Sequence, residues 1–262
     1  MTGARTVVVT GAARGLGFAT ARLLAERGDN VMMLDRSDDV VAAADKLAAD
    51  GYAVVGRACD ITDESAVEAA ALDLDARFGG CQGLVNNAGV IGFGGIEDLD
   101  LAEWERVVAV NLTGAFLCCK HFGRLMLRGG AGSIVNVTSL ASSCPTPNAG
   151  AYSASKAGAE ILARQLAVEW GKRGIRANAL NPGFMSTPMA QPFLDVPESL
   201  AKRKEMVASG RIGEAEEVAR VIEFLLDVRS SYVNGASIDV DGGLGQMLTS
   251  LVPRPGTEQS TG

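Results

Sequence analysis

Tyr152 and Lys156 place a phenol and an ammonium four residues apart, a spacing that brings both to one face of a helix. Ser139 stands thirteen residues upstream of the Tyr, just past the apolar run Ser133-Ile134-Val135-Asn136-Val137-Thr138. A cation beside a phenol favours the phenolate and pulls its pKa down from about 10 toward neutrality. Such a phenol can take or give the hydroxyl proton of an alcohol–ketone pair. A Tyr-x-x-x-Lys alone is a common surface pair. It gains meaning beside a site for a hydride carrier, and the N-terminus offers one.

Arg5-Thr6-Val7-Val8-Val9-Thr10 is an apolar, β-branched run, suited to a strand buried on both faces of a parallel sheet. Gly11, Gly15 and Gly17 follow, in the spacing GxxxGxG, where the strand gives way to an Ala/Leu-rich helix reaching Arg27. A dinucleotide pyrophosphate sits at such a junction, on free N–H groups at the positive end of a helix. The glycines supply a tight turn, close backbone approach and close helix–strand packing. The alternative is an ordinary glycine-rich turn. The next run, Val31-Met32-Met33-Leu34, ends in Asp35, near the offset of about 20 residues expected for a ribose-binding carboxylate. A carboxylate there accepts from both ribose hydroxyls and repels a 2′-phosphate, so NAD is the expected cofactor. Arg14 and Arg36 keep NADP open, because both could reach a 2′-phosphate. Alternatively they are solvated or paired locally, Arg36 with Asp38 or Asp39.

Seven short apolar runs read as strands, near Val7, Met32, Val54, Leu84, Ile134, Ala179 and Ile238. Helical patterns separate most of them. This alternation predicts one α/β domain: a doubly wound, mostly parallel seven-stranded sheet with right-handed crossovers and helices on both faces. Leu101 to Leu127 predicts a long helix on which Trp104, Val107, Val108 and Asn111 share a face. Asn111 then points inward, where an amide needs partners. Residues 151–171 predict a second long helix, with Ala154, Ala157, Gly158 and Ala159 permitting close packing. The third strand ends at Asp60, and Thr62 is the expected cap of the following helix. Between 184 and 210, Phe184, Met185, Met189, Phe193 and Leu194 are too apolar for a plain surface loop. A mobile lid over an apolar substrate is expected there, with ordinary packing as the alternative. The domain is expected to span 1–247. The tail, 248–262, carries Pro253, Pro255 and Gly256 and is expected to be loose or packed on a neighbouring subunit.

The 262 residues are 47% apolar, ample for a core. A net charge of −7 without a basic stripe argues against a nucleic-acid partner. No apolar run approaches the ~20 residues of a membrane span, and no leader is expected ahead of the first strand. The five cysteines include adjacent Cys118 and Cys119 but no CxxC, which suits free thiols in a reducing cytosol and a cytoplasmic protein. The one histidine, His121, falls in a helical stretch and reads as a structural or surface residue. A zinc site therefore lacks ligands.

Taken together, these motifs resemble the short-chain dehydrogenase/reductase family in its single-domain form, from the first strand to about Gly243. Thr10-Gly11-x-x-x-Gly15-x-Gly17 matches its cofactor loop and Asn86-Asn87-Ala88-Gly89 its fourth-strand motif. Asn111, Ser139, Tyr152 and Lys156 match its catalytic tetrad. Asn181-Pro182-Gly183 matches the turn after its sixth strand, and Asp239-Val240-Asp241-Gly242-Gly243 its closing strand. The resemblance implies a Rossmann-like fold and a cofactor held by Gly11, Arg14, Gly15, Leu16, Gly17, Asp35, Asn87, Ala88, Gly89, Tyr152, Lys156, Pro182, Gly183 and Met185. It puts Asp60 at the adenine ring with Ile61 beside it, and Thr187 at the nicotinamide amide. It places Asn111 at a helix distortion, holding a water that relays protons to Lys156. It implies a homotetramer, or a homodimer, through pairing of the two long helices. The function expected is NAD-dependent interconversion of a secondary alcohol, apolar or alicyclic in body, and its ketone. The alternatives are an NADP-dependent ketone or 3-oxoacyl-thioester reductase, and an NAD-binding sensor without turnover. A sensor has no need of an intact tetrad.

Overall fold

The structure, a computed structural model, describes residues 4–251. Its strands are β1 (Thr6–Thr10), β2 (Asn30–Asp35), β3 (Val54–Ala58), β4 (Gly83–Asn86), β5 (Gly132–Val137), β6 (Ile175–Pro182), the two-residue β7 (Met185–Ser186) and β8 (Gly213–Glu214), and β9 (Ser237–Val240). Its helices are α1 (Gly15–Glu26), α2 (Asp39–Ala49), α3 (Glu64–Phe78), α4 (Leu101–Val108), α5 (Ala115–Gly129), α6 (Tyr152–Trp170), α7 (Gln191–Leu194), α8 (Pro197–Glu205) and α9 (Ala215–Leu226).

Seven strands form one all-parallel sheet in the order β3-β2-β1-β4-β5-β6-β9. The expected seven-stranded, doubly wound architecture is the one observed. Val7, Val8 and Val9 of β1 and Val31 to Leu34 of β2 are fully buried, because helices cover both faces. Residues of α1, α2 and α9 pack on one face, and those of α3, α5 and α6 on the other. The order of strands reverses between β1 and β4. Open α/β sheets bind ligands at such a reversal, outside the carboxyl ends of the strands.

Several local expectations need correction. The helix read from Leu101 to Leu127 is three pieces: α4, a π-helical stretch Ala109–Gly114, and α5. Such stretches disrupt the regular i→i−4 ladder, and this one contains Asn111. Asp63, not Thr62, caps α3, its carboxylate accepting from the Ser65 and Ala66 N–H groups. A full negative charge suits the positive helix end better than a hydroxyl does. Thr62 instead donates to Asp60, from its N–H at 2.9 Å and its hydroxyl at 2.7 Å. β7 and β8 were not foreseen; two residues are too few to show a period. A 3-10 helix, Leu244–Leu251, carries the chain past the expected boundary at 247. The rest of the expected tail, with Pro253, Pro255 and Gly256, lies outside the described residues.

Among the described residues no helix is long and apolar enough to cross a membrane, and no cluster of three metal-ligating side chains occurs. His121 is buried with Nε2 3.1 Å from Glu64 Oε1, a tie between α5 and α3. All five cysteines are free thiols, and only Cys144 is exposed.

Candidate active site

The crevice begins at the end of β1. Gly11 and Gly15 have φ of +65° and +59°, a region that favours glycine. A Cβ on Gly17 would lie 2.1 Å from the Gly11 carbonyl oxygen, and one on Gly11 2.8 Å from Ala88 Cα. No side chain fits at either position. α1 then starts at Gly15 with no side-chain cap and no acid in its first turn. Its first N–H groups and positive end therefore remain available, while Leu16 is buried in the core.

Thr10 knits β1 to β4. Its Oγ1 accepts from the Asn87 and Ala88 N–H groups, each at 3.0 Å, and donates to the Val85 carbonyl at 3.3 Å. Asn87 Nδ2 returns bonds to the Thr10 and Gly11 carbonyls at 2.9 and 3.1 Å. Thr10 carries this junction, although its type alone did not distinguish it from any polar strand end.

Asp35 closes β2. Its Oδ2 accepts from the Ala13 N–H of the glycine loop and its Oδ1 from the Ser37 N–H, both at 3.1 Å. Arg14 and Arg36 are exposed and make no ion pair among the described residues. The expected pairing of Arg36 with Asp38 or Asp39 is not formed, and Asp39 accepts from Ser37 Oγ instead. Ile61, beside Asp60, is buried against Gly114, where a Cβ would come within 2.7 Å of its Cδ1.

On the far side, Pro182 pairs with Val240, and a Cβ on Gly183 would lie 2.7 Å from Asp241 Cα. Met185 pairs with Gly213 and packs on the α1–α9 core. The Thr187–Pro188 turn lies over the glycine loop, since a Cβ on Gly15 would be 3.2 Å from Pro188 Cδ and 3.9 Å from Thr187 Cβ.

The sequence tetrad converges at the centre. Lys156 is buried, and its Nζ donates to the Val137 carbonyl at 2.9 Å. That nitrogen is 5.8 Å from the Tyr152 ring centroid. Burial lowers the Lys156 pKa to about 8. Burial also raises the Tyr152 phenol above its ordinary value, and the facing Ser139 hydroxyl pulls it partly back. The downward shift expected from the Tyr–Lys spacing is thus reversed in the protein alone. Removing a phenolate from water costs more than these neighbours return.

Ser139 starts the 3-10 turn Leu140–Ser142, its Oγ accepting from the Ala141 N–H at 3.2 Å. Ser142 Oγ donates to Glu160 on α6 at 2.8 Å, which fixes that turn against the helix bearing Tyr152. Asn111 is buried, and both ends of its amide are bonded. Its Oδ1 accepts from the Val90 N–H at 2.8 Å, and its Nδ2 donates to the Val90 carbonyl and Ser155 Oγ, both at 3.0 Å. Ser155 in turn donates to the Tyr152 carbonyl at 2.7 Å. Ser155 thus anchors the first turn of α6, a role hidden in the sequence because it needs the spatial neighbour Asn111. A Cβ on Gly89 would lie 3.2 Å from Lys156 Nζ and 3.3 Å from Asn111 Oδ1, so the β4 loop rests directly on both.

Residues 11–245 match the family model described as Enoyl-(Acyl carrier protein) reductase. The cis-4-hydroxycyclohexanecarboxylate dehydrogenase of Sinomonas cyclohexanicum is 42% identical over 241 residues, covering 91% of this chain and 96% of the relative. The D-threitol dehydrogenase of Mycolicibacterium smegmatis is 37% identical over 240 residues, covering 91% and 92%. Among solved structures, a gluconate 5-dehydrogenase from Burkholderia cenocepacia in complex with NADP and tartrate superposes with a TM-score of 0.89 at 30% identity, covering 93% of this chain and 96% of that one. With its parallel sheet, glycine loop and convergent Tyr and Lys, the chain belongs to the short-chain dehydrogenase/reductase family, NAD(P)-dependent oxidoreductases acting on CH–OH groups, and interconverts a secondary alcohol and its ketone.

Proposed function

We propose that NAD is the preferred carrier and that Tyr152 moves the hydroxyl proton. The observation that carries this reading is the meeting of Ser139, Tyr152, Lys156 and Asn111 beside an uncapped helix start and a glycine cradle. These residues fit a nicotinamide dinucleotide. Gly11, Arg14, Gly15, Leu16 and Gly17 hold the pyrophosphate on backbone N–H groups. Asp35 takes the ribose hydroxyls, because each of its oxygens accepts only one backbone N–H and keeps a lone pair. Asp60 and Ile61 flank the adenine, and Asn87, Ala88 and Gly89 form the floor. Pro182, Gly183, Met185 and Thr187 close the nicotinamide end.

When bound, the nicotinamide supplies hydride exchange with the carbinol carbon. Ser139 and Tyr152 hydrogen-bond the substrate oxygen, the phenol donating to a ketone and the phenolate accepting from an alcohol. Tyr152 takes the carbinol proton in oxidation and returns it in reduction. Lys156 holds the ribose and, once charged, favours the phenolate. Lys156 Nζ and Asn111 Oδ1 both lie against the Gly89 backbone, a closeness that supports the family-like proton path from Lys156 past Asn111 by way of a water.

A second reading, an NADP-dependent ketone or 3-oxoacyl-thioester reductase, is supported by Arg14 and Arg36, both exposed and free of ion pairs among the described residues. The NADP complex of the gluconate 5-dehydrogenase points the same way. We further read residues 1–247 as one catalytic domain of a cytoplasmic homotetramer. Its buried, unpaired thiols and the exposed Phe116 and Ile161 on the two long helices support this.

Steady-state kinetics with secondary alcohols, NAD and NADP test the reading. Tyr152→Phe keeps the ring and removes the donor, and turnover is expected to fall at least ~10²-fold, the lower range for general acid–base catalysis, with NADH binding retained. Near-normal turnover in that variant sinks the assignment, and a wild-type preference for NADP sinks the role given to Asp35.

A further inference from the structure

Arg203 lies on α8, and its guanidinium lies close to two aromatic rings. It stands 4.6 Å from the centroid of Phe184 and 5.0 Å from that of Phe193. Phe184 follows Gly183 at the end of β6. Phe193, on α7, meets Phe93 edge-on with ring centroids 6.0 Å apart. Phe93 belongs to the loop that begins at Asn87-Ala88-Gly89. Its neighbour Gly94 bridges Ala149, three residues before Tyr152. The guanidinium therefore stands where the β4 loop, the β6 loop and the α7–α8 segment meet, and the β4 loop is tied to the segment leading into Tyr152.

Several of the charges around it are already assigned. Lys202 pairs with Glu198 at 2.8 Å, Arg211 pairs with Glu217 at 2.7 Å, and Asp195 accepts from Gln191. Arg203 has no carboxylate partner among the described residues. Its one hydrogen bond runs from Nε to Ser199 Oγ at 3.3 Å. Two aromatic rings lie close to the guanidinium and Nε is engaged, while Nη1 and Nη2 remain as a planar fork. That geometry matches the two oxygens of a carboxylate. The two rings and the Ser199 bond also hold the guanidinium in place beforehand, so less side-chain freedom is lost on binding.

We infer that the substrate is a hydroxy acid, or its keto counterpart, whose carboxylate binds Arg203 while its carbinol meets Ser139 and Tyr152. This rests on Tyr152 being the proton-transfer group, as proposed above. It adds an anionic end to the expected apolar or alicyclic body, which lies toward Phe93 and Phe193.

Calorimetric titration of the protein loaded with reduced nicotinamide nucleotide tests the inference without turnover. The probes are cyclohexanecarboxylate and its neutral isostere cyclohexanecarboxamide. The wild type is expected to bind the acid at least about tenfold tighter than the amide, a difference of about 1.4 kcal/mol. Arg203→Met is expected to bind both alike. Arg203→Lys, which keeps the charge without the fork, is expected to fall between them and decides the matter should the Met variant fail to fold. Retained nucleotide binding shows that the site is intact. No acid binding by the wild type, equal binding of acid and amide, or an acid preference that survives in Arg203→Met overturns the proposal. Cyclohexanol turnover separates the two readings. Its survival in Tyr152→Phe refutes the proton-transfer assignment and leaves the acid preference to be judged by calorimetry alone.

Discussion

Lys156→Met deletes a buried ammonium and keeps most of its stem. Lys156 is 5% exposed, and burial lowers its pKa from 10.5 to about 8. A lowered amine pKa means that the unfolded chain holds the proton more tightly than the folded one. Between the two values the unfolded state binds more protons, so this group makes stability rise with pH across that window. Below about pH 8 both states are charged, and the folded state carries the full cost of burying the cation. At about 1.36 kcal/mol per pKa unit, that cost is ~3 kcal/mol near neutrality. By about pH 9.5 it has shrunk to ~1 kcal/mol, so the pH-dependent part is ~2 kcal/mol. The variant leaves the Val137 carbonyl without its donor, an opposing loss of ~1 kcal/mol that does not vary with pH. Lys156→Met is therefore expected to be more stable than the parent at neutral pH while losing turnover and ribose affinity. Urea unfolding of both proteins without nucleotide, at about pH 7 and about pH 9.5, measures the difference between the two slopes. Parallel pH dependence in parent and variant would falsify the buried-cation account.

Other outcomes follow from neighbouring residues. Asp35→Ala removes the acceptor held by Ala13 and Ser37, so NAD should weaken and discrimination against NADP should relax, read as the ratio of kcat/KM values. Gly17→Ala forces a methyl to within 2.1 Å of the Gly11 oxygen; overpacking of this kind costs ~1–3 kcal/mol, and loss of nucleotide affinity in a titration should exceed any loss in Tm. Burial raises the Tyr152 pKa in the protein alone, so its phenolate absorbance should appear only above about pH 10 and move to lower pH when NAD+ adds its positive charge. An unmoved titration would leave the oxidative pH profile to another group.

The fold was legible because its signals are local. Val7 to Val9 and Val31 to Leu34 announce strands buried on both faces, and Gly11, Gly15 and Gly17 mark the only turn that tolerates so close a β4 loop. The tetrad was legible because few other side chains can do its chemistry. What stayed hidden depends on neighbours distant in sequence. Ser155 matters through Asn111, forty-four positions away, and Thr10 through Asn87 and Ala88. The rise of the Tyr152 pKa in the protein alone was not legible from spacing, which reports a nearby cation but not the water removed by folding. The α3 cap was misplaced by one residue because Thr62 and Asp63 are both good caps, and only geometry sends the hydroxyl to Asp60. Arg203 gave no signal, since a Lys-Arg-Lys run reads as an ordinary solvated helix face.

The parallel sheet has a consequence for how the molecule comes into being. β1 pairs with β2 and also with β4, whose Gly83 stands opposite Val7. Such distant pairings close long loops before contact energy is returned, which makes them slow. The glycine cradle needs Ala88 beside Gly11, the proton-transfer pair needs Gly89 over Lys156, and the α7–α8 segment arrives later still in the chain. No contiguous half of the polypeptide contains a working site. During refolding from urea, helical ellipticity should therefore return well before turnover, and recovered activity marks completion of the last strand pairings rather than collapse of the chain.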